Sequence, residues 1–268
     1  MKKSKLLLIF IAVLTVLNVV YYLGQWGGPS VLQYVSDTLP VLTSFIAVVC
    51  LYHTFKAFKE IDFARVSWVL IFIGIFFDFL AETTYAILEI GFKIDMNEYF
   101  PSLADIFWCT AYIPLFAGLF MMFFGYKRSG FPLGKMKVYA IIAASSFVVF
   151  VAMAYFLLIP ILSDNESDDI TKLFYMYYPI ADLLTVIPAI ILFYITTLFG
   201  RAAISLPMRM LSIGFVCFTM ADMLYAYLGW LDIYGNGNLI DVLWHVGYLV
   251  IGLAGLYQKE LVESVNAQ

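Results

Sequence analysis

The chain has 268 residues, of which 63% are hydrophobic and only 13% charged, with a formal net charge of −4. A water-soluble domain carries about a quarter charged residues, so a chain this apolar lacks the polar groups to cover a surface in water. The small net charge is spread over connecting segments, which leaves no basic patch for nucleic acid.

A helix needs about 20 apolar residues to cross the hydrocarbon core of a bilayer. In chain order such stretches are Leu6–Leu23, Leu39–Phe58, Phe63–Ile90, Ser102–Tyr126, Lys137–Leu162, Leu173–Gly200, Pro207–Trp230 and Leu239–Tyr257. The expectation is an all-α, polytopic integral membrane protein of about eight transmembrane helices, a single transmembrane domain over residues 1–268. The first stretch follows Lys2, Lys3 and Lys5 as a signal peptide would. It is longer than the usual h-region and no small-x-small cleavage site follows, so it reads as a retained helix. The longest connection, Ser163–Lys172, carries Asp164, Glu166, Asp168 and Asp169, a solvated acidic turn. Cys50, Cys109 and Cys217 fall inside apolar stretches without CxxC spacing, so neither a disulfide framework nor a thiolate metal site is expected.

Lysine and arginine remain on the cytoplasmic side of a membrane. With the N-terminus inside and eight crossings, all of the 15 basic residues except Lys93 and Lys172 fall on the inner side. Lys56, Lys59, Arg65, Lys127, Arg128, Lys135, Lys137, Arg201, Arg209 and Lys259 alternate correctly, and a shift of one span destroys the pattern. A multi-pass cell-membrane protein with both termini cytoplasmic is therefore expected.

Several helices share text. The fourth opens on Asp105, with Trp108 and Tyr112 at +3 and +7; the eighth opens on Asp241, with Trp244 and Tyr248 at the same spacing. Ala81-Glu82-Thr83-Thr84-Tyr85 on the third resembles Ala221-Asp222-Met223-Leu224-Tyr225 on the seventh. Glu82 to Asp222 is 140 residues, Asp105 to Asp241 is 136, and Asp37 to Asp182 is 145. A nearly constant offset points to two parallel four-helix repeats, Leu6–Tyr126 and Lys137–Tyr257, with a site between them.

Ionisable residues inside spans are costly and turn toward a bundle interior or cavity. Asp78, Glu82, Tyr85 and Glu89 form one stripe on the third helix. Further stripes hold Asp105, Trp108 and Tyr112; Tyr178 and Asp182; Asp222 and Tyr225; and Asp241, Trp244 and His245. On the expected topology these lie in the outer half of the membrane, as an acidic, aromatic-lined cavity for a small cationic or aromatic ligand. The plainer reading of Asp37, Asp105, Asp182 and Asp241 is capping of helix N-termini. His53 reads as structural, and His245 as a group able to titrate near neutrality or to orient a ligand.

A retinal Schiff base needs a mid-membrane lysine, and every basic residue lies at a span end or in a connection. Two histidines on opposite sides suit neither an intramembrane zinc site nor a bis-histidine haem. No Walker A loop, GxSxG elbow or dinucleotide fingerprint falls on a strand–helix turn. An enzyme is not expected, and no cofactor is assigned.

Pro101-Ser102-Leu103-Ala104-Asp105, Tyr178-Pro179-Ile180-Ala181-Asp182-Leu183-Leu184, Ala221-Asp222-Met223-Leu224-Tyr225 and Asp241-Val242-Leu243-Trp244-His245-Val246-Gly247-Tyr248 carry a resemblance. They resemble the polytopic N-terminal membrane regions that precede diguanylate cyclase, phosphodiesterase and histidine kinase outputs. The resemblance covers about the C-terminal two thirds of the chain and implies a sensory module. It departs in one respect: only Gln258–Gln268 follow Tyr257, so no output domain is expected and signalling requires a separate cytoplasmic partner. The leading expectation is a receptor-like module that binds a small ligand in an outward-facing cavity. The alternative is a transporter or proton-coupled carrier.

Overall fold

A computed structural model describes residues 3–96, 99–200, 204–231, 233–235 and 237–267; Lys2, Arg201 and Gln268 lie outside them. The described chain is helical, without strands. Its long helices are α1 (Lys3–Gly24), α2 (Gly28–Ala57), α3 (Phe63–Gly91, ending in a π turn), α4 (Leu103–Arg128), α5 (Met136–Ser163, with a π turn at Ala154–Leu158), α6 (Asp169–Thr197), α7 (Ser205–Trp230) and α8 (Asp241–Asn266). The first seven are long and apolar enough to cross a membrane. The eighth is as long as α7 but more polar, because Asp241 and His245 lie in its first turns and Gln258, Lys259, Glu260 and Glu263 in its last.

Local sequence explains the ends. Asp62 caps α3 through the Arg65 amide at 2.8 Å, and Asp168 caps α6 through the Ile170 and Thr171 amides at 2.9 and 3.0 Å. Ser102 and Asp105 form a capping box at the start of α4. In the exposed connection between Ser163 and Asp169, the Ser167 hydroxyl and then the Glu166 and Ser167 amides bond to Asp164 and hold its carboxyl down at about 2. One boundary differs widely from expectation: α2 begins at Gly28, not near Leu39. Pro29 occupies its first turn, where a missing N–H costs nothing, and the polar stretch Gln33–Thr38 is thereby wound into the helix.

Packing order defines the architecture. The helices α2, α3, α4, α6, α7 and α8 form a closed ring in which each packs on the next and α8 returns to α2; α1 lies outside against α8, and α5 outside against α6. The two outer helices present most of their surface outward, with Phe147 67% and Leu17 60% exposed, as a lipid-facing helix does. Inside the ring, an apolar core of Leu51, Trp68, Ile71, Leu119, Leu211 and Ile251 fills one half of its depth.

The two ends of the bundle differ in chemistry. At one end the Ser4 amide and hydroxyl donate to Glu260 at 3.1 and 2.8 Å, Asn266 reaches the Ala57 carbonyl, and Arg209 donates to the Thr196 carbonyl at 3.2 Å. Both described ends of the chain therefore lie on the same side, together with Lys56, Arg65, Lys127, Arg128 and Lys135. At the other end, Gln25 donates to the Gly237 carbonyl at 3.2 Å and Thr171 to the Phe100 carbonyl at 3.3 Å, which ties the opposite connections together.

Close helix crossings repeat. A Cβ added to Gly74 on α3 would lie 3.1 Å from the Ala111 carbonyl oxygen and collide with Leu115, both on α4. A Cβ added to Gly214 on α7 would lie 3.1 Å from the Gly247 carbonyl oxygen and collide with Ile251, both on α8. Small residues permit such approach where lipid supplies no hydrophobic drive between helices.

Candidate functional site

The acidic stripes meet inside the ring. Asp78, Glu82 and Tyr85 from α3, Asp105, Trp108 and Tyr112 from α4, and Tyr178 and Asp182 from α6 line one cavity. Asp222 and Tyr225 from α7 and Asp241, Trp244 and Tyr248 from α8 complete its wall. The cavity has about 170 Å³ of space and occupies the half of the ring away from the basic end, beyond the apolar core.

His245 departs from the expected set. It is 1% exposed and faces outward from the ring to α1, where its Nδ1 pairs with the Asn18 amide at 2.9 Å beside the Tyr22 ring. The expected capping roles also need correction. Asp37 and Asp182 lie in the interiors of α2 and α6, because both helices start earlier than the apolar pattern indicates. Asp105 does cap, as the N3 member of the box at Ser102, while Asp241 is the first residue of α8 and accepts from Tyr234 at 2.9 Å.

Four of the carboxyl groups meet donors from another helix. The Tyr248 hydroxyl donates to Glu82 at 2.8 Å, and Trp108 lies within hydrogen-bonding reach of the same carboxyl. Trp244 Nε1 donates to Asp222 at 2.7 Å. The Tyr112 hydroxyl donates to Asp182 at 2.9 Å and stands 3.4 Å from Asp222, and Tyr178 donates to Asp105 at 2.6 Å. These are neutral donors. Among the described residues the lining holds seven carboxyl groups and no lysine, arginine or histidine.

Three of the seven remain incompletely satisfied. Asp37 Oδ2, Asp182 Oδ2 and Asp241 Oδ2 are buried and have no hydrogen-bond donor. A buried polar atom without a partner costs about 1–3 kcal/mol, and more when charged. Asp182 and Asp222 stand side by side within hydrogen-bonding reach, a pair that requires a proton or a cation between them. Pro40 and Pro179 sit within a turn of Asp37 and Asp182 and each removes a backbone donor from the helix beside a carboxyl.

The arrangement can bind positive charge. Aromatic rings cover much of the wall: Trp244 packs on Tyr225 with ring centroids 5.7 Å apart, and Tyr248 on Phe218 at 4.7 Å. Such walls add cation–π attraction to the carboxyl groups. No three of the described His, Cys, Asp and Glu residues gather closely enough to hold a metal ion.

Sequence reasoning did not place Asp37, Tyr99, Phe100 and Tyr234 in the lining. Asp37 carried a signal, its 145-residue offset from Asp182, but it fell in an apparent connection. The other three lie in irregular segments, where no periodicity indicates facing. No family model matches the chain, and no curated protein or solved structure matches it.

Proposed function

We propose that the chain is a receptor-like module of the cell membrane that binds a small, positively charged ligand in the acidic–aromatic cavity. One observation carries this reading: among the described residues the cavity is lined by seven carboxyl groups and no lysine, arginine or histidine, and three of those groups keep a buried oxygen without a donor. A cationic ligand supplies the missing donors and relieves like-charge repulsion together.

In this reading all eight long helices cross the bilayer. The last has 26 residues, and at 1.5 Å each these extend about 39 Å, enough for a hydrocarbon core of about 30 Å. The basic end is cytoplasmic by the positive-inside rule, so the cavity opens outward. The halves around Leu6–Tyr126 and Lys137–Tyr257 are repeats. The order of the six-helix ring is unchanged when the halves are exchanged, and the Gly74 and Gly214 crossings stand at matching offsets. The outer helices α1 and α5 depart from this relation.

The sensory part of the proposal rests on the resemblance of the four motifs. The cytoplasmic segments around Lys56–Arg65 and Lys127–Lys137 report occupancy to a separate partner. A carrier remains the second reading, favoured by the paired halves. The apolar core that closes the ring on the basic side supports the receptor, because it leaves the cavity with one approach. Mass spectrometry of small molecules that co-purify with the protein tests the binding role, and recovery of an amine or other organic cation is expected. An anionic or purely apolar occupant overturns it. Saturable uptake of that cation into proteoliposomes decides for the carrier.

A further inference from the structure

We propose that the cavity recognises a short linear diamine, with one ammonium group at a seat built on Glu82 and the other at an equivalent seat built on Asp222. This inference rests on the cationic reading above and gives the ligand its valence and shape.

The two seats are built alike. Glu82 on α3 accepts from Tyr248 on α8 at 2.8 Å, and Trp108 on α4 lies within reach of it. Asp222 on α7 accepts from Trp244 on α8 at 2.7 Å, and the Tyr112 hydroxyl of α4 stands 3.4 Å away. Glu82 and Asp222 are 140 residues apart; Trp108 and Trp244, and Tyr112 and Tyr248, are each 136 apart. Glu82 thus takes a tryptophan from its own half and a tyrosine from the other; Asp222 takes a tryptophan from its own half, while Tyr112 of the other half donates to the neighbouring Asp182 at 2.9 Å and only approaches Asp222. Such an exchange is what a two-fold relation through the middle of the cavity produces.

Two of the three carboxyl groups with a donor-less oxygen follow the same relation; the third, Asp241, does not, since its counterpart Asp105 accepts at both oxygens, from Tyr178 and Ser102. Asp182 Oδ2 lacks a donor, and its carboxyl adjoins Asp222. Asp37 Oδ2 also lacks a donor, and its carboxyl lies within electrostatic reach of Glu89 first and then of Glu82. These two are the pair separated by 145 residues. Each bonded carboxyl thus has a second carboxyl near it, Asp182 adjoining Asp222 and Asp37 within electrostatic reach of Glu82. An ammonium group has three donors and no acceptor, so it satisfies both at once. A monovalent cation fills one seat and leaves the other uncompensated.

Size and wall agree with this ligand. A cavity of about 150 Å³ admits benzene, so the 170 Å³ here takes a ligand of roughly six to eight heavy atoms. Butane-1,4-diamine has about six. Leu115, Phe215 and Phe218 supply apolar lining for methylene groups.

The test is calorimetric titration of the full chain in lipid nanodiscs with butane-1,4-diamine, with n-butylamine, and with diamines of three to six carbons. The diamine is expected to bind roughly tenfold or more tighter than n-butylamine, since it adds a second charged hydrogen-bonding group. Affinity should peak at one chain length. Glu82→Gln and Asp222→Asn keep side-chain shape, and each is expected to bring the diamine down to the monoamine level while thermal unfolding shows a folded protein. Equal affinities for diamine and monoamine, or a loss confined to one variant, overturns the two-seat proposal and leaves the single-cation reading intact. Absence of binding by every amine to the folded protein overturns both.

Discussion

Removing one hydroxyl from each half of the site probes the cross-half hydrogen bonds directly. Tyr248→Phe deletes the 2.8 Å bond to Glu82, and Tyr112→Phe deletes the 2.9 Å bond to Asp182. Both rings keep their packing, for Tyr248 against Phe218 and for Tyr112 against Tyr177, so the change isolates the hydroxyl. A hydrogen bond to a charged group contributes about 1.5–3 kcal/mol in soluble proteins. Between membrane helices measured values average about 0.6 kcal/mol and reach about 1.7, because the unfolded helices also find partners in the bilayer. The expected loss is therefore about 1 kcal/mol for each variant. The additional Tyr112–Asp222 approach of 3.4 Å is longer than a good O–H···O bond and adds little, so the two losses should be similar. Reversible unfolding in mixed micelles reads both. Tyr248→Phe introduced into a Glu82→Gln background should cost clearly less than in the parent chain, because the two side chains are partners. Losses below about 0.5 kcal/mol for both variants, the range of unremarkable surface substitutions, refute the assigned network.

Two further outcomes are expected. Reporter fusions after Lys59, Lys137 and Gln268 should register cytoplasm and one within Ser163–Lys172 the exterior; an exterior signal after Gln268 removes the eighth crossing. Gly74→Val and Gly214→Val should each cost about 1–3 kcal/mol in the same unfolding assay, as overpacking does, since each inserts atoms against a neighbouring helix 3.1 Å from a carbonyl oxygen. A cost at one glycine and none at the other removes the equivalence of the two crossings.

Composition and spacing alone determined the membrane class and the position of most helices. A bilayer demands long apolar runs with satisfied backbones, and that demand is written locally in residues such as those of Lys137–Leu162. The acidic and aromatic stripes were legible for the same reason: a helix of known period puts Asp78, Glu82 and Tyr85 on one face without reference to the rest of the chain. Tertiary structure decided which stripes meet. His245 and Asp241 are one turn apart on α8, yet the histidine turns to Asn18 on α1 while the aspartate lines the cavity. Periodicity gives a face only to within a broad arc, and the neighbours that divide that arc come from remote parts of the chain. The start of α2 likewise depended on Gly28 and Pro29 more than on apolarity, so Asp37 moved from an apparent connection to a helix interior. The exchange of tyrosines between the halves is a property of the closed ring. No segment contains it, because Glu82 and Tyr248 are brought together from 166 residues apart only when α8 packs beside α2 and closes the bundle.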